Sequence, residues 1–193
     1  MKPVIDGEMI RLRDFELKDL TNYAKWREPG HAWQDFDGPY YRIDPQKAQE
    51  RVALRKETIM LGAFPSPRTY MVIADSATDE IVGEVNCYWK SVETFWMCLG
   101  IDIFDCSKWG KGIGREALTL WTQYLFDSHP QIVRLGLETW SGNHGMIKLA
   151  LKLGYQEEAR IRKARIVKGK YYDSLSFGIL REEWVDLRKG SQR

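Results

Sequence analysis

Cysteine is scarce in this chain of 193 residues, and what there is forms no pattern. Cys87, Cys98 and Cys106 are an odd set without a C-x-x-C pair, which argues against a disulfide framework and fits reduced thiols in a cytoplasmic protein. The three histidines, His31, His129 and His144, are scattered without metal-ligand spacing. No run approaches the roughly 18 apolar residues of a membrane span. The opening Met1-Lys2-Pro3-Val4-Ile5-Asp6-Gly7-Glu8 lacks the apolar core of a signal peptide. Net charge is only +2, so nothing draws the whole chain to nucleic acid or a membrane surface. Repeats, low-complexity tracts and long linkers are missing too, and a single domain over 1–193 is expected.

What remains is an ordinary soluble composition, 44% apolar and 29% charged, with eight tryptophans and nine tyrosines. Most of these aromatics are expected in the core. Trp26, Trp33, Tyr40 and Tyr41 stand in a segment interrupted by Gly and Pro, where packing and a pocket wall are alternative readings.

The most specific local signal is Trp109-Gly110-Lys111-Gly112-Ile113-Gly114-Arg115. It follows a strand-like run, 96–104, and precedes a segment where Ile113, Ala117, Leu120, Trp121, Tyr124 and Leu125 recur at helical spacing. A strand, a glycine-rich turn and a helix start together present unpaired N–H groups and the positive end of a helix dipole. Glycine lets that backbone approach a phosphate without a Cβ in the way. A phosphate-bearing cofactor is therefore expected, a structural turn being the plainer alternative. A phosphate-loop NTPase needs Ser or Thr after its Gly-Lys, and Gly112 stands there. A dinucleotide fold wants G-x-G-x-x-G, whereas the spacing here is G-x-G-x-G, although Glu138 falls about 20 residues on, where a ribose-binding acid would stand.

Along the chain, 9–13 alternates like a strand and 16–26 has helical spacing. Pro45 opens a helix to about residue 59, and 62–68 is loop. Strands are expected at 70–74, 81–89, 96–104, 133–139, 155–167 and 171–180. The glycine-motif helix ends near residue 128, and a short helix from Asn143 stops at Gly154. The order β-α-α-β-β-β-α-β-α-β-β describes an α+β domain of about seven strands and four helices with a mostly antiparallel sheet.

Four segments then carry a resemblance. Gly7-Glu8-x-x-x-Leu12-Arg13, Trp109-Gly110-Lys111-Gly112-Ile113-Gly114, Asn143-x-x-Met146-Ile147-Lys148-Leu149-Ala150-x-Lys152-Leu153-Gly154-Tyr155 and Gly169-x-Tyr171-Tyr172-Asp173 occur in order. Together they resemble the GCN5-related N-acetyltransferases, in particular the ribosomal-protein N-terminal acetyltransferase (RimJ/RimL-type) branch. The resemblance implies the GNAT fold, acetyl-CoA as co-substrate and acetyl transfer to a small-molecule or peptide amine. It implies that the diphosphate lies on Trp109, Gly110, Lys111, Gly112, Ile113, Gly114 and Arg115. The pantetheine arm would pair along Asp102, Ile103 and Phe104, with Asn143 touching it. Homodimers are common in that family, but the sequence gives no interface. No specific nucleic acid and no membrane partner is expected.

Direct transfer needs a neutral amine, hence a base, and a donor for the developing oxyanion, expected from a backbone N–H near Phe104. The chain departs from the family here. Ala150 stands where many members have a Tyr acid, Met146 where the branch has Ser, and Cys98 where a Glu is frequent. Glu84, inside Ile81-Val82-Gly83-Glu84-Val85, and Glu138 remain as candidate bases. Pairing of Glu84 with an arginine and of Glu138 with Arg134 are the structural alternatives. Ser141 offers a proton relay or a helix-entry turn. Arg160, Arg162, Lys163, Arg165, Lys168 and Lys170 form a basic hairpin, read as a nucleic-acid or acidic-acceptor contact or as a solvated face offset by Glu157 and Glu158. A non-catalytic acyl-CoA-binding regulator is the alternative function, and a nicotinamide oxidoreductase a third.

Overall fold

The computed structural model describes residues 4–41 and 44–190. The first three residues of the N-terminal reading, and 42–43 of the irregular stretch before Pro45, lie outside them. The strands are β1 (Val4–Asp6), β2 (Ile10–Arg13), β3 (Tyr70–Asp75), β4 (Ile81–Ser91), β5 (Trp96–Ile103), β6 (Arg134–Trp140), β7 (Gln156–Val167) and β8 (Lys170–Leu180). The helices are α1 (Asp19–Arg27), α2 (Pro45–Leu61), α3 (Ile113–Ser128), α4 (His144–Lys152) and α5 (Arg181–Gly190). Hydrogen bonding joins the strands in the order β1-β2-β3-β4-β5-β6-β8-β7. The β1–β2, β2–β3, β3–β4, β6–β8 and β7–β8 pairs are antiparallel, and β5–β6 is parallel. The α+β class holds, with two elements beyond the expected order: the three-residue β1, and α5, which closes the chain where β8 was expected to.

The chain divides into two compact units, Met1–Asn86 with Ile101–Trp121, and Cys87–Gly100 with Thr122–Arg193. In the first, α1 starts at Asp19 rather than residue 16. The Asp19 carboxylate accepts the Glu16 N–H at 2.8 Å and both terminal nitrogens of Arg13, at 2.7 and 2.9 Å, holding the entry as a turn. Asp44 caps α2 through the Gln46 N–H at 3.0 Å, with Pro45 at the first helical position, and Gly62 ends it at φ +61°. Phe15, Tyr23, Trp33, Val72, Ala74, Ile81 and Phe104 form the core, with Trp26, Val52 and Tyr70 packed against it. Of the four questioned aromatics, Trp33 is core and Trp26 lines it, whereas Tyr41 is exposed.

In the second unit, Leu135, Leu137, Leu175, Phe177 and Ile179 are buried along β6 and β8, paired Leu135↔Ile179 and Leu137↔Phe177. Tyr155, fully buried, shares a 2.9 Å hydrogen bond with Thr122. The α5 helix docks through Trp184, whose indole donates to Gln123 at 2.9 Å. Arg181 ties its start to the Ile132 and His129 carbonyls, each at 2.8 Å.

Candidate functional site

The glycine turn is built from its flanks inward. Asp105 accepts the Ser107 N–H at 2.9 Å, fixing a short turn over Cys106–Lys108, and Lys108 pairs with Asp75 at 3.0 Å. Gly110 (φ +72°) and Gly112 (φ +93°) then take the left-handed backbone that only glycine adopts without strain. The first hydrogen bond of α3 runs from the Glu116 N–H to the Gly112 carbonyl at 3.0 Å. The amides of Ile113, Gly114 and Arg115 precede it and have no partner within the helix. Buried Ile113 anchors the turn, while Trp109, Lys111 and Arg115 are exposed. Gly110 to Arg115 thus form one continuous anion-facing turn.

The same turn is braced from below. Glu116, in the first turn of α3, accepts the Glu8 and Met9 N–H groups, the latter at 3.0 Å. A Cβ on Gly7 would run into that carboxylate, which explains the Gly7-Glu8 pair before β2.

Residues 102–104 are more occupied than the expectation of an open edge allows. The Trp109 indole donates to the Ile103 carbonyl at 3.0 Å, and the Phe104 N–H donates to the Val82 carbonyl at 2.9 Å. The Phe104 ring is buried against Tyr23, Trp26 and Trp33. Phe104 therefore has no amide left for an oxyanion or a pantetheine carbonyl. Earlier in β5, Met97 and Cys98 pair with Leu135 and Gly136 of β6.

Glu84 is nearly fully buried and fully engaged. Arg27 grips one of its oxygens, Arg55 approaches the other at 3.7 Å, and Tyr23 donates at 3.3 Å. The Arg27 guanidinium stands 5.0 Å from the Trp33 ring and 5.4 Å from that of Phe104. This is the arginine pairing raised as an alternative, reinforced by a second arginine. The Phe104–Val82 bond falls two residues from Asp102 on one strand and two from Glu84 on the other. Confinement, then the charges of Asp37 and Glu84, push the Asp102 carboxyl well above the usual range, against the pull of Arg27 and Arg51. A cleft of about 420 Å³ in this unit, lined by Lys25, Trp26, His31, Asp75, Asp105 and Lys108 among others, includes neither Glu84 nor the glycine turn.

In the second unit, Glu138 is half-exposed and pairs with Lys90 at 2.8 Å and the Tyr88 hydroxyl at 3.1 Å. Its suggested partner Arg134 binds Glu158 instead. Asn143 caps α4, its side-chain oxygen accepting the Met146 N–H at 3.0 Å. Ser141 exchanges hydrogen bonds with Asp173, its hydroxyl taking the Asp173 N–H at 2.9 Å, so it latches a turn to β8. On the basic hairpin, Arg160 is held by Glu157 at 2.8 Å and Asp173 at 3.1 Å.

Arg27, Arg55, Tyr23 and Asp37 around Glu84, and Tyr88 and Lys90 beside Glu138, were not singled out from sequence. An acid inside an apolar strand does demand a buried partner, but nothing local names it. Among the described residues no cluster of His, Cys, Asp and Glu could hold a metal, and no helix is long and apolar enough to cross a membrane.

A family model described as an acetyltransferase (GNAT) domain matches residues 10–156. The SPbeta prophage-derived uncharacterized N-acetyltransferase YokL of Bacillus subtilis is 33% identical over 178 residues, 92% of this chain and 93% of that protein. The uncharacterized N-acetyltransferase p20 of Bacillus licheniformis is 26% identical over 92% of this chain and 96% of its own length. Among solved structures, a GNAT-family acetyltransferase from Bacillus anthracis superposes with a TM-score of 0.72 at 17% identity, covering 94% of this chain and all of that one. The ribosomal-protein-S5-alanine acetyltransferase from Vibrio fischeri gives 0.70 at 17% identity, over 94% and 98% of the two chains.

Proposed function

The chain belongs to the GNAT family of acetyltransferases and is an N-acetyltransferase; from that premise we propose that it transfers the acetyl group of acetyl-CoA to a primary amine by direct attack in a ternary complex. One observation carries the reading: Gly110 and Gly112 in left-handed conformations lead into a helix whose first amides have no partner within it. Nothing lies within 4 Å of where a Gly110 Cβ would stand, so the backbone presents an open cradle. Such a cradle suits a diphosphate, with the exposed Lys111 and Arg115 adding charge. Residues 102 and 103, at the end of β5, would accommodate the peptide-like pantetheine arm. Bound there, acetyl-CoA supplies an activated thioester.

The residues of this chain do the rest. Glu84 is an anchor in this reading, because its oxygens already serve Arg27, Arg55 and Tyr23 and little of it meets solvent. Of the two candidate bases, Glu138 is the one open to solvent. Positioning of the amine supplies much of the acceleration. The acceptor is a small-molecule or peptide amine, and the resemblance to the ribosomal-protein branch supports a protein N-terminus among the first to try.

Thiol release from acetyl-CoA, followed across peptide N-termini, polyamines and amino-bearing small molecules, tests the reading. Turnover on at least one class is expected. Binding of acetyl-CoA with no turnover on any amine would instead favour a regulatory acyl-CoA sensor.

A further inference from the structure

The cleft of about 420 Å³ in the first unit lies outside the groups assigned to acetyl transfer, and it is large enough for a small molecule. Part of its lining comes from α1, where Asn22, Lys25 and Trp26 stand at i, i+3 and i+4 and so share a face. Another part is the connection from β3 to β4, where exposed Glu80 precedes buried Ile81 and Val82. His31 ties the loop after α1 back to this rim. Its ring packs on Trp26 at 4.9 Å, and its Nε2 meets the Lys25 carbonyl at 2.7 Å.

Most polar groups of the lining are already engaged. One oxygen of Asp75 takes the Lys108 ammonium at 3.0 Å, and the other accepts the Ala77 and Thr78 N–H groups at 3.0 and 3.3 Å. Asp105 accepts the Ser107 N–H at 2.9 Å, and the Thr78 hydroxyl accepts the Glu80 N–H at 3.3 Å. Three groups are left over. Among the described residues, the Lys25 ammonium, the Asn22 side-chain amide and the Glu80 carboxylate have no partner, and Lys25 and Glu80 do not pair with each other. One open cation beside an amide on α1 and one open anion before β4 therefore share a cleft with apolar Ile81 and Val82. A ligand with a single charge satisfies one of them and brings like charge towards the other. A ligand with both signs satisfies both.

We propose that this cleft binds a small apolar α-amino acid, with its carboxylate on Lys25 and Asn22, its ammonium on Glu80 and its side chain against Trp26, Ile81 and Val82. The donor count matches. Lys25 offers three N–H groups and Asn22 two, which suits the two oxygens of a carboxylate, and Glu80 offers only acceptors, which suits an ammonium. Placing Asn22 and Lys25 one helical turn apart lets both reach the same carboxylate. The site lies wholly within the first unit and contains no residue of the glycine turn. It goes beyond the N-acetyltransferase reading and does not depend on it.

The test uses three probes without acetyl-CoA: leucine, leucinamide, which lacks the carboxylate charge, and 4-methylpentanoate, which lacks the ammonium. Titration calorimetry gives the affinities for wild type, Lys25→Gln and Glu80→Gln, and backbone amide shifts locate the site. Both substitutions fall on exposed side chains, so melting temperatures are expected to hold. Leucine is expected to bind wild type at least about fivefold more tightly than either one-charge probe, as fits a single exposed charge contact. Lys25→Gln is expected to weaken leucine about fivefold and leave leucinamide unchanged, and Glu80→Gln to weaken leucine equally and leave 4-methylpentanoate unchanged. Shifts are expected at 22–26 and 78–82. No binding of leucine at about 10 mM, three probes within about twofold of one another, variants that bind leucine like wild type, or shifts confined to other residues would each overturn the proposal. None of these results bears on acetyl transfer, which the thiol-release assay decides separately.

Discussion

Gly110 and Gly169 form a matched pair that separates backbone strain from ligand binding. Gly110 sits at φ +72° in the turn before α3, and Gly169 at φ +76° between β7 and β8. Neither has a heavy atom within 4 Å of where a Cβ would be placed. Replacement by Ala therefore meets no clash at either site, and only the left-handed backbone penalises it, by about 1–2 kcal/mol. A stiffer unfolded chain offsets roughly 0.4–1 kcal/mol of that. Each variant should lose about 1 kcal/mol of stability, seen as a fall of about 2–4 °C in melting temperature for a chain of this size. Binding should part them. The Gly110→Ala methyl enters the space proposed for the diphosphate and tilts the neighbouring amides, so CoA affinity should drop at least about tenfold, or 1.4 kcal/mol. Gly169→Ala should bind CoA like wild type. Scanning calorimetry and titration calorimetry on both proteins read the two effects. Equal CoA affinities in the two variants would refute the reasoning, whatever their stabilities.

Two further outcomes follow from the buried polar centre of the first unit. Arg27→Met leaves Glu84 buried with only Arg55, at 3.7 Å, and Tyr23, and should cost about 3 kcal/mol in urea unfolding. Adding Glu84→Leu should recover part of that loss; a double variant weaker than Arg27→Met would contradict it. Asp102 has a raised carboxyl, so its favourable contribution is full below the ordinary value of about 3.9 and disappears as pH climbs through its higher folded value. Asp102→Asn should flatten that decline and match or exceed the wild-type melting temperature at neutral pH. Parallel stability curves for the two proteins would count against it.

The parts legible in the sequence are those whose cause is local. The glycine turn, the Asp44-Pro45 start of α2 and the left-handed Gly154 after α4 each need only a few adjacent residues, and each lies where the pattern put it. The helix α5 escaped because it is short and offers only Trp184, Val185 and Leu187 as apolar residues, of which Trp184 alone is buried. The strand β1 is three residues long. Glu84 could be recognised as needing a partner, but Arg27 lies 57 residues away and Arg55 on another helix. That Val82 takes the Phe104 amide and the folded-back Trp109 indole takes the Ile103 carbonyl is contained in no strand pattern.

The amides that open α3 are what would hold the diphosphate. Titrating the isotope-labelled protein with CoA, and separately with pantetheine, which lacks the diphosphate, while following backbone amide shifts tests it most directly. The expected result is large shifts at Gly112, Ile113, Gly114 and Arg115 with CoA and little change there with pantetheine. Shifts at these amides that are absent with CoA, or equal with both compounds, would contradict it.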